Sequence, residues 1–315
     1  MTTQPLVSIV IPTYNRAGVI GDTIENLFQQ TYRNIEVIVV DDGSTDETPA
    51  KLASYGSRIR WVVQKNAGPA AARNRGIAMA NGEIIAFQDS DDAWHPTKIE
   101  RQVSLMQRAG ESVVGCICNS VVQLPHCVVR SFENAPIDPP IKEGVWLNVT
   151  EVLATRFILF NQAIAIRREV LAKIGGFDES FRLNEDMDLG LRLSLEGPWA
   201  FIREPLATRQ AIVERTLGHE ATPIIVRENE ARILEGILRM VESDDRLGHL
   251  KPLMKREVKR SHRLLRAARI RASQRPGAAV LGWFLERLER YRSAARRRSP
   301  WFPEMKVVAV DAAIS

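Results

Sequence analysis

Glu83-Ile84-Ile85-Ala86-Phe87-Gln88-Asp89-Ser90-Asp91-Asp92 is an apolar run that ends abruptly in carboxylates. The run predicts a buried strand, and its polar end predicts a loop leaving a sheet. Asp89, Asp91 and Asp92 repel one another at this spacing unless something positive neutralises them. A divalent cation holding a diphosphate answers that need, because hard oxygen ligands suit Mg2+ or Mn2+. The plainer alternative is a solvated turn whose Asp caps the next helix. An EF-hand loop does not fit, since Ala93 and Trp94 stand where an oxygen ligand and a glycine are required.

Upstream the pattern alternates. Leu6–Ile11 reads as a strand ended by Pro12, and Ile20, Ile24, Leu27 and Phe28 recur at helical spacing up to about Tyr32. Ile35–Val40 is a β-branched strand stopped by Asp41-Asp42-Gly43-Ser44. A helix from Glu47, a strand at Ile59–Val63 and a helix from Pro69 to Ala80 precede the opening run. Strict alternation argues for a parallel sheet covered by helices on both faces. Ligands of such sheets bind beyond the carboxyl ends of the strands, which singles out Pro12–Asn15, Asp41–Asp46 and Asp89–Asp92. Phosphate loops of the G-x-x-x-x-G-K-[ST] and G-x-G-x-x-G types are absent.

Downstream, a helix starts after Pro96 and runs to about Arg108, followed by β-rich Ser112–Arg130, a Pro-rich loop at Asn134–Pro140 and a helix over Leu183–Leu195. Beyond Arg215 helices are expected at Pro223–Glu242, Leu253–Arg271 and Ala278–Arg296, with a break at Ser273–Gly277. No apolar run approaches the roughly 20 residues that span a bilayer. Cys116, Cys118 and Cys127 lack a second Cys or His pair at metal spacing and read as reduced, buried thiols of a cytoplasmic protein. The net charge of +5 is uneven: Lys255–Arg298 holds fifteen Lys or Arg against three Glu, so the remainder is net acidic.

Several segments together resemble the family 2 glycosyltransferases of GT-A fold. They are Val7–Asn15, Ile38–Thr45, Asn66–Pro69 with Ala72–Gly76, Gln88–Pro96, and Gly175–Phe181 with Asn184–Arg192, spread over roughly the first two-thirds of the chain. The resemblance implies an α/β architecture, a mainly parallel, Rossmann-like sheet flanked by helices, to which the helical pattern beyond Arg215 adds a helical C-terminal extension. It implies a glycosyltransferase domain over 1–215, with a nucleotide-sugar half at about 1–108 and an acceptor half at about 109–215. Residues 216–315 then form a basic helical region.

Site roles follow from the same resemblance. Pro12 and Tyr14 would flank the donor base, Asp42 would hydrogen-bond it, and Gly68 and Arg73 would line the nucleotide pocket. Asp89 would face the ribose or the metal, and Asp91 would be the main ligand of Mn2+ or Mg2+, although Asp92 extends the motif and competes for that part. Asp186 would be the base of an inverting displacement, kept ionised by the helix dipole if Asn184 caps the helix, with Glu185 opposing by repulsion. Trp94 and Glu185 are weaker candidates for acceptor contact; Trp94 equally suits packing on the helix below, and Trp199 suits the core. The plain alternative for Asp186 is an ordinary acidic first turn with Asp188 and Arg192 as an i,i+4 pair.

The expected function is transfer from a nucleoside-diphosphate sugar, uridine being favoured by the resemblance, to a saccharide or lipid-linked acceptor in polysaccharide or glycoconjugate synthesis. A sugar nucleotidyltransferase would need a Gly-rich loop where Pro12-Thr13-Tyr14-Asn15 stands, and a non-catalytic scaffold of the same fold would not need Asp89, Asp91 and Asp186 together. The 255–298 segment suggests peripheral contact with the inner membrane face, or packing on the catalytic domain or on a second copy. Nucleic acid is not expected, since no binding motif accompanies the charge.

Overall fold

The computed structural model describes residues 4–123, 127–135, 137, 139–156, 161–210, 222–273, 278–297 and 305–310. Two compact units emerge: Met1–Val149, Ile158–Glu214 and Met305–Ser315 in one, Thr150–Phe157 and Arg215–Glu304 in the other. One division falls between Glu214 and Arg215; in addition residues 150–157 group with the second unit and residues 305–315 with the first, across the expected extents of 1–215 and 216–315.

The first unit opens with β1 (Val7–Thr13), α1 (Ile20–Phe28), β2 (Ile35–Asp41), α2 (Thr48–Ala53), β3 (Arg60–Val63), α3 (Pro69–Met79) and β4 (Ile84–Phe87). After β4 come β5 (Ala93–Trp94), α4 (Lys98–Ala109), β6 (Gly115–Gln123), β7 (Val128–Arg130), α5 (Ser131–Asn134) and β8 (Glu143–Trp146). Past α6 (Val149–Thr155) the unit resumes with β9 (Ile164–Arg167), α7 (Arg168–Ile174), α8 (Glu185–Ser194) and β10 (Trp199–Gln210). The strand order is β11-β8-β10-β6-β9-β4-β1-β2-β3, where β11 is Val307–Val308; β5 pairs with β10 and β7 with β6.

Parallel pairing holds across β3-β2-β1-β4, as the alternation predicts. Beyond β4 the sheet is mixed. β9 enters antiparallel to both β4 and β6, β8 runs antiparallel to β10, and β10 runs parallel to β6, so the uninterrupted parallel run is β3-β2-β1-β4. The β1 and β2 runs are buried on both sides, which explains continuous Val and Ile rather than alternation. Helix α3 lies close on β1 because Gly76 has no side chain: a Cβ there would sit 2.3 Å from Val10 Cγ1. Cys116 and Cys118 are buried as expected, whereas Cys127 is exposed, lying at the edge hairpin of β6 and β7.

The second unit holds α9 (Pro223–Ser243), α10 (Lys251–Ala272) and α11 (Ala278–Arg297), with α6 residues from Thr150. Thr222 caps α9 by accepting a hydrogen bond from Ile225 N at 3.3 Å. Ile233, Leu234, Ile237 and Val241 of α9 are buried, as are Met254, Leu264 and Leu265 of α10. Ion pairs Arg269–Glu228 at 2.7 Å and Lys255–Glu242 at 3.3 Å tie α10 to α9. Two of the basic residues of α10 are thus paired with its neighbour. The break expected at 273–277 falls, from residue 274 on, outside the described residues. Among the described residues no helix is long and apolar enough to cross a membrane.

Candidate active site

The strand ends of the parallel half carry the loops that the sequence singles out. Side chains zip the β1 exit to the β2 exit: Asn15 N donates to Ser44 Oγ at 2.8 Å, Thr45 N to Asn15 Oδ1 at 2.8 Å, and Arg16 N to Thr48 Oγ1 at 2.9 Å. Asn15 takes a positive φ of 51°, which Asn tolerates through its short polar side chain. These bonds leave Tyr14 projecting, 45% exposed, next to half-buried Pro12.

The adjacent aspartates divide their work. Asp41 Oδ1 accepts from Ser44 N at 2.9 Å and shapes the turn. Asp42 is buried and accepts from Gln64 Nε2 (2.8 Å), Ala67 N (2.9 Å) and Gly68 N (2.8 Å). It therefore pins the 64–68 loop that leads into α3, a role absent from the sequence reading. A carboxylate offers about four lone-pair positions, so capacity remains for one more donor such as a base N–H. Gly68, at φ +96°, occupies the N-cap of α3 in a conformation that excludes most side chains.

Arg73 stands at the centre. Its side chain is 5% exposed, with Nη2 2.7 Å from Asp89 Oδ1 and Nη1 2.8 Å from Glu185 Oε1. Its guanidinium lies 5.4 Å from the Phe177 ring centroid. Arg73, expected to line the nucleotide pocket, is thus held between two carboxylates, and one of them is Glu185, expected near the acceptor. Next on α3, Asn74 donates to Phe177 O at 2.9 Å and accepts from Phe177 N at 2.8 Å, fastening the Gly175–Phe177 turn. Sequence reasoning gave Asn74 no role, and only its place inside the Ala72–Gly76 motif hinted at one.

Asp91 is part-buried, and Arg16 Nε lies 3.7 Å from its Oδ2. Burial, then the charge of Asp89, push the Asp91 carboxyl above its ordinary range, with Arg16 opposing. Asp92 is buried, its N–H bonded to Asp89 O at 3.2 Å, so Asp91 is the more accessible of the two. Among the described residues no group of three or more His, Cys, Asp or Glu is placed to hold a metal ion alone. Two carboxylates that repel each other nevertheless suit Mg2+ or Mn2+, which bind through one or two carboxylates plus substrate phosphates.

Asp186 lies in the first turn of α8, its Oδ1 accepting from its neighbour Met187 N at 2.8 Å. Asn184 does not cap the helix; it sits in the left-handed region at φ +67° and makes no capping bond. Burial, and next the adjacent Glu185 charge, raise the Asp186 carboxyl to about 7. Burial thus acts on Asp186 in the same direction as the Glu185 repulsion expected from the sequence, and the Met187 N–H and the Arg73 charge oppose both. Asp188 and Arg192 form the i,i+4 pair, with Arg192 Nε 2.9 Å from Asp188 Oδ2.

Trp94 is withdrawn as an acceptor platform. It is 3% exposed, its ring covered by the Lys98 ammonium at 3.8 Å. Lys98 itself is fully buried, donates to Gln102 Oε1 at 2.8 Å, and is pulled down to about 8 by burial. Trp199 is fully buried, as expected.

Comparison with known proteins gives concordant matches. The model described as glycosyl transferase family 2 matches residues 8–166. An uncharacterised glycosyltransferase of Rickettsia typhi is 34% identical over 190 residues, 60% of this chain and 58% of that protein. The chain thus spans less than two-thirds of the length of such relatives. The amylovoran biosynthesis glycosyltransferase AmsB of Erwinia amylovora is 30% identical over 69% of this chain and 73% of its own. Among solved structures, S. aureus TarS 1–349 in complex with UDP-GlcNAc superposes at a TM-score of 0.64 with 17% identity, covering 91% of this chain and 79% of that one. The mannosyltransferase PcManGT of Pyrobaculum calidifontis, in complex with GDP-Man and Mn2+, gives 0.55 with 22% identity over 95% and 89%. At these identities the two structures speak for the fold alone.

Proposed function

The chain belongs to glycosyl transferase family 2, and from that premise we propose that it transfers a sugar from a nucleoside-diphosphate sugar to an acceptor hydroxyl with inversion. The observation that carries the reading is Asp186. Its carboxyl, in the first turn of α8, is raised to about 7 by burial and by Glu185 beside it, with Arg73 opposing and Asp89 adding to the rise. A general base works best when its pKa lies near the working pH.

In this reading Tyr14 and Pro12 flank the base, Asp42 accepts a base N–H, and Gly68 presents backbone to the nucleotide. Asp91, with Asp89, would hold a divalent cation, which supplies Lewis-acid neutralisation of the departing diphosphate. Asp186 takes the proton from the acceptor hydroxyl as that oxygen attacks the anomeric carbon and the diphosphate leaves from the opposite face. Arg73 fixes both Asp89 and Glu185, and so sets the charge around donor and base together. The AmsB similarity supports an acceptor drawn from polysaccharide synthesis. Neighbours with UDP-GlcNAc and with GDP-Man and Mn2+ support a nucleotide-sugar donor and a divalent cation without choosing the base.

The test is calorimetric titration of UDP, GDP and dTDP, each with and without Mn2+, on wild type and on Asp91→Ala. Manganese-dependent binding of one diphosphate, lost in the variant, is expected. Absence of binding by all three in the presence of metal overturns the donor-site reading.

A further inference from the structure

Helix α11 turns its faces the opposite way from an ordinary amphipathic helix. Its small residues face inward: Ala278 and Gly282 are buried, and a Cβ on Gly282 would lie 2.4 to 2.6 Å from Arg271 atoms of α10. Glu286, on the same side, pairs with Arg271 at 3.2 Å. The large apolar residues face away from α10. Val280 is 70% exposed, Leu281 52%, Trp283 48% and Phe284 56%. At 100° per residue, 280, 284 and 287 form one line, 283 and 281 flank it, and 282 lies opposite. A contiguous apolar face that includes Trp and Phe is unusual on a soluble surface and marks an interaction site.

The charge around this face selects its occupant. Residues 278–298 contain six arginines and two glutamates, and Glu286 is already engaged by Arg271. Arg287, on the same line as Val280 and Phe284, lies with its guanidinium 5.0 Å from the Trp283 ring centroid and brings positive charge to the apolar face itself. A second copy seated here would bring the same positive charge against itself, which is unfavourable. We propose that α11 docks on an anionic lipid surface, with Trp283, Phe284, Val280 and Leu281 entering the headgroup–acyl boundary and Arg287 meeting lipid phosphates. Interfacial helices combine these elements: aromatic and aliphatic residues on one face, and arginine close enough to reach lipid phosphates. The inference concerns the helical unit alone and does not depend on the proposed sugar transfer.

The experiment is sedimentation of the full chain with vesicles of phosphatidylcholine alone, and of phosphatidylcholine containing phosphatidylglycerol, at low and high salt. Wild type, the double variant Trp283→Ser/Phe284→Ser and Arg287→Glu are compared. Because these side chains are exposed, circular dichroism and melting temperature should match wild type. The expected result is salt-sensitive binding to the anionic vesicles only, weakened roughly tenfold or more by the double variant and less by Arg287→Glu. Nucleotide titration in parallel should be unchanged in all variants. No binding to anionic vesicles at low salt, or binding that the double variant leaves intact, overturns the proposal. So does self-association by light scattering that the double variant abolishes, since the face would then belong to a second copy.

Discussion

Asp186 and Glu185 are neighbours with different fates. Arg73 engages Glu185 directly, while Asp186 is left with burial and a like charge beside it. If Asp186 is the base, the rate on saturating donor should rise with pH through about 7 and then level. Glu185→Gln should move that midpoint down, because a repelling charge is gone; a pH–rate profile reads both. Asp186→Asn should lower kcat by about 10²–10⁴ while leaving nucleoside-diphosphate affinity near wild type. Its stability has a definite sign. A carboxyl raised in the folded state binds a proton that the unfolded chain has already released, so the protein loses stability as pH rises from the ordinary carboxylate range to about 7. Asp186→Asn should therefore melt higher than wild type above neutrality, and the gap should close at about pH 4, as thermal melts at two pH values would report. At this scale the sequence located the charged residues but not their partners. An aspartate at a strand end serves a nucleobase or a backbone loop equally well on paper, and only the folded path of 64–68 shows Asp42 occupied by Ala67 and Gly68. Trp94 likewise looked the same whether it met a sugar or the ammonium of Lys98.

Helix α3 connects the parts. Through Gly76 it lies close against β1, and through Arg73 and Asn74 it reaches the two loops that bring Asp89 and Asp186 into one field. Gly76→Ala would drive a methyl into Val10, and overpacking of this kind costs roughly 1–3 kcal/mol. Urea denaturation should show that loss, with partial recovery when Val10→Ala is added. The strands and helices of residues 7–109 were readable because their apolar period changes cleanly between elements and because Pro12, Gly43, Pro69 and Pro96 punctuate them. The later half was less readable. β5, β7 and β11 are two or three residues long, too short for any period to register, and β9 gives no sign in its sequence of which way it will pair. Helix α11 was legible as amphipathic but not as to which face turns outward, since that depends on Gly282 finding the backbone of α10.

The chain does not simply append helices to a finished sheet. After α11 it comes back, and β11 pairs antiparallel with β8 through Val307 and Val308. Lys306 N donates to Asn148 Oδ1 at 2.7 Å, and Leu147 N donates to Lys306 O at 2.9 Å. The fit is close: Val308 O would lie 2.5 Å from a Cβ on Gly144, so glycine is required there. Removing residues 305–315 should lower stability by roughly 1–3 kcal/mol and leave β8 as a bare edge inclined to aggregate, as melting and light scattering would reveal. Composition alone had grouped these last residues with the basic helices.

The same return has a consequence for synthesis. Asn148 and Lys306 are separated by 158 positions, so the parallel strands and the whole helical excursion leave the ribosome before the partner of β8 exists. The nascent chain must hold an incomplete sheet through about half of its translation, a period in which an open strand is available to chaperones and to neighbouring chains on the same message. A slower ribosome over the helical codons would lengthen that exposure without changing a single residue of the product.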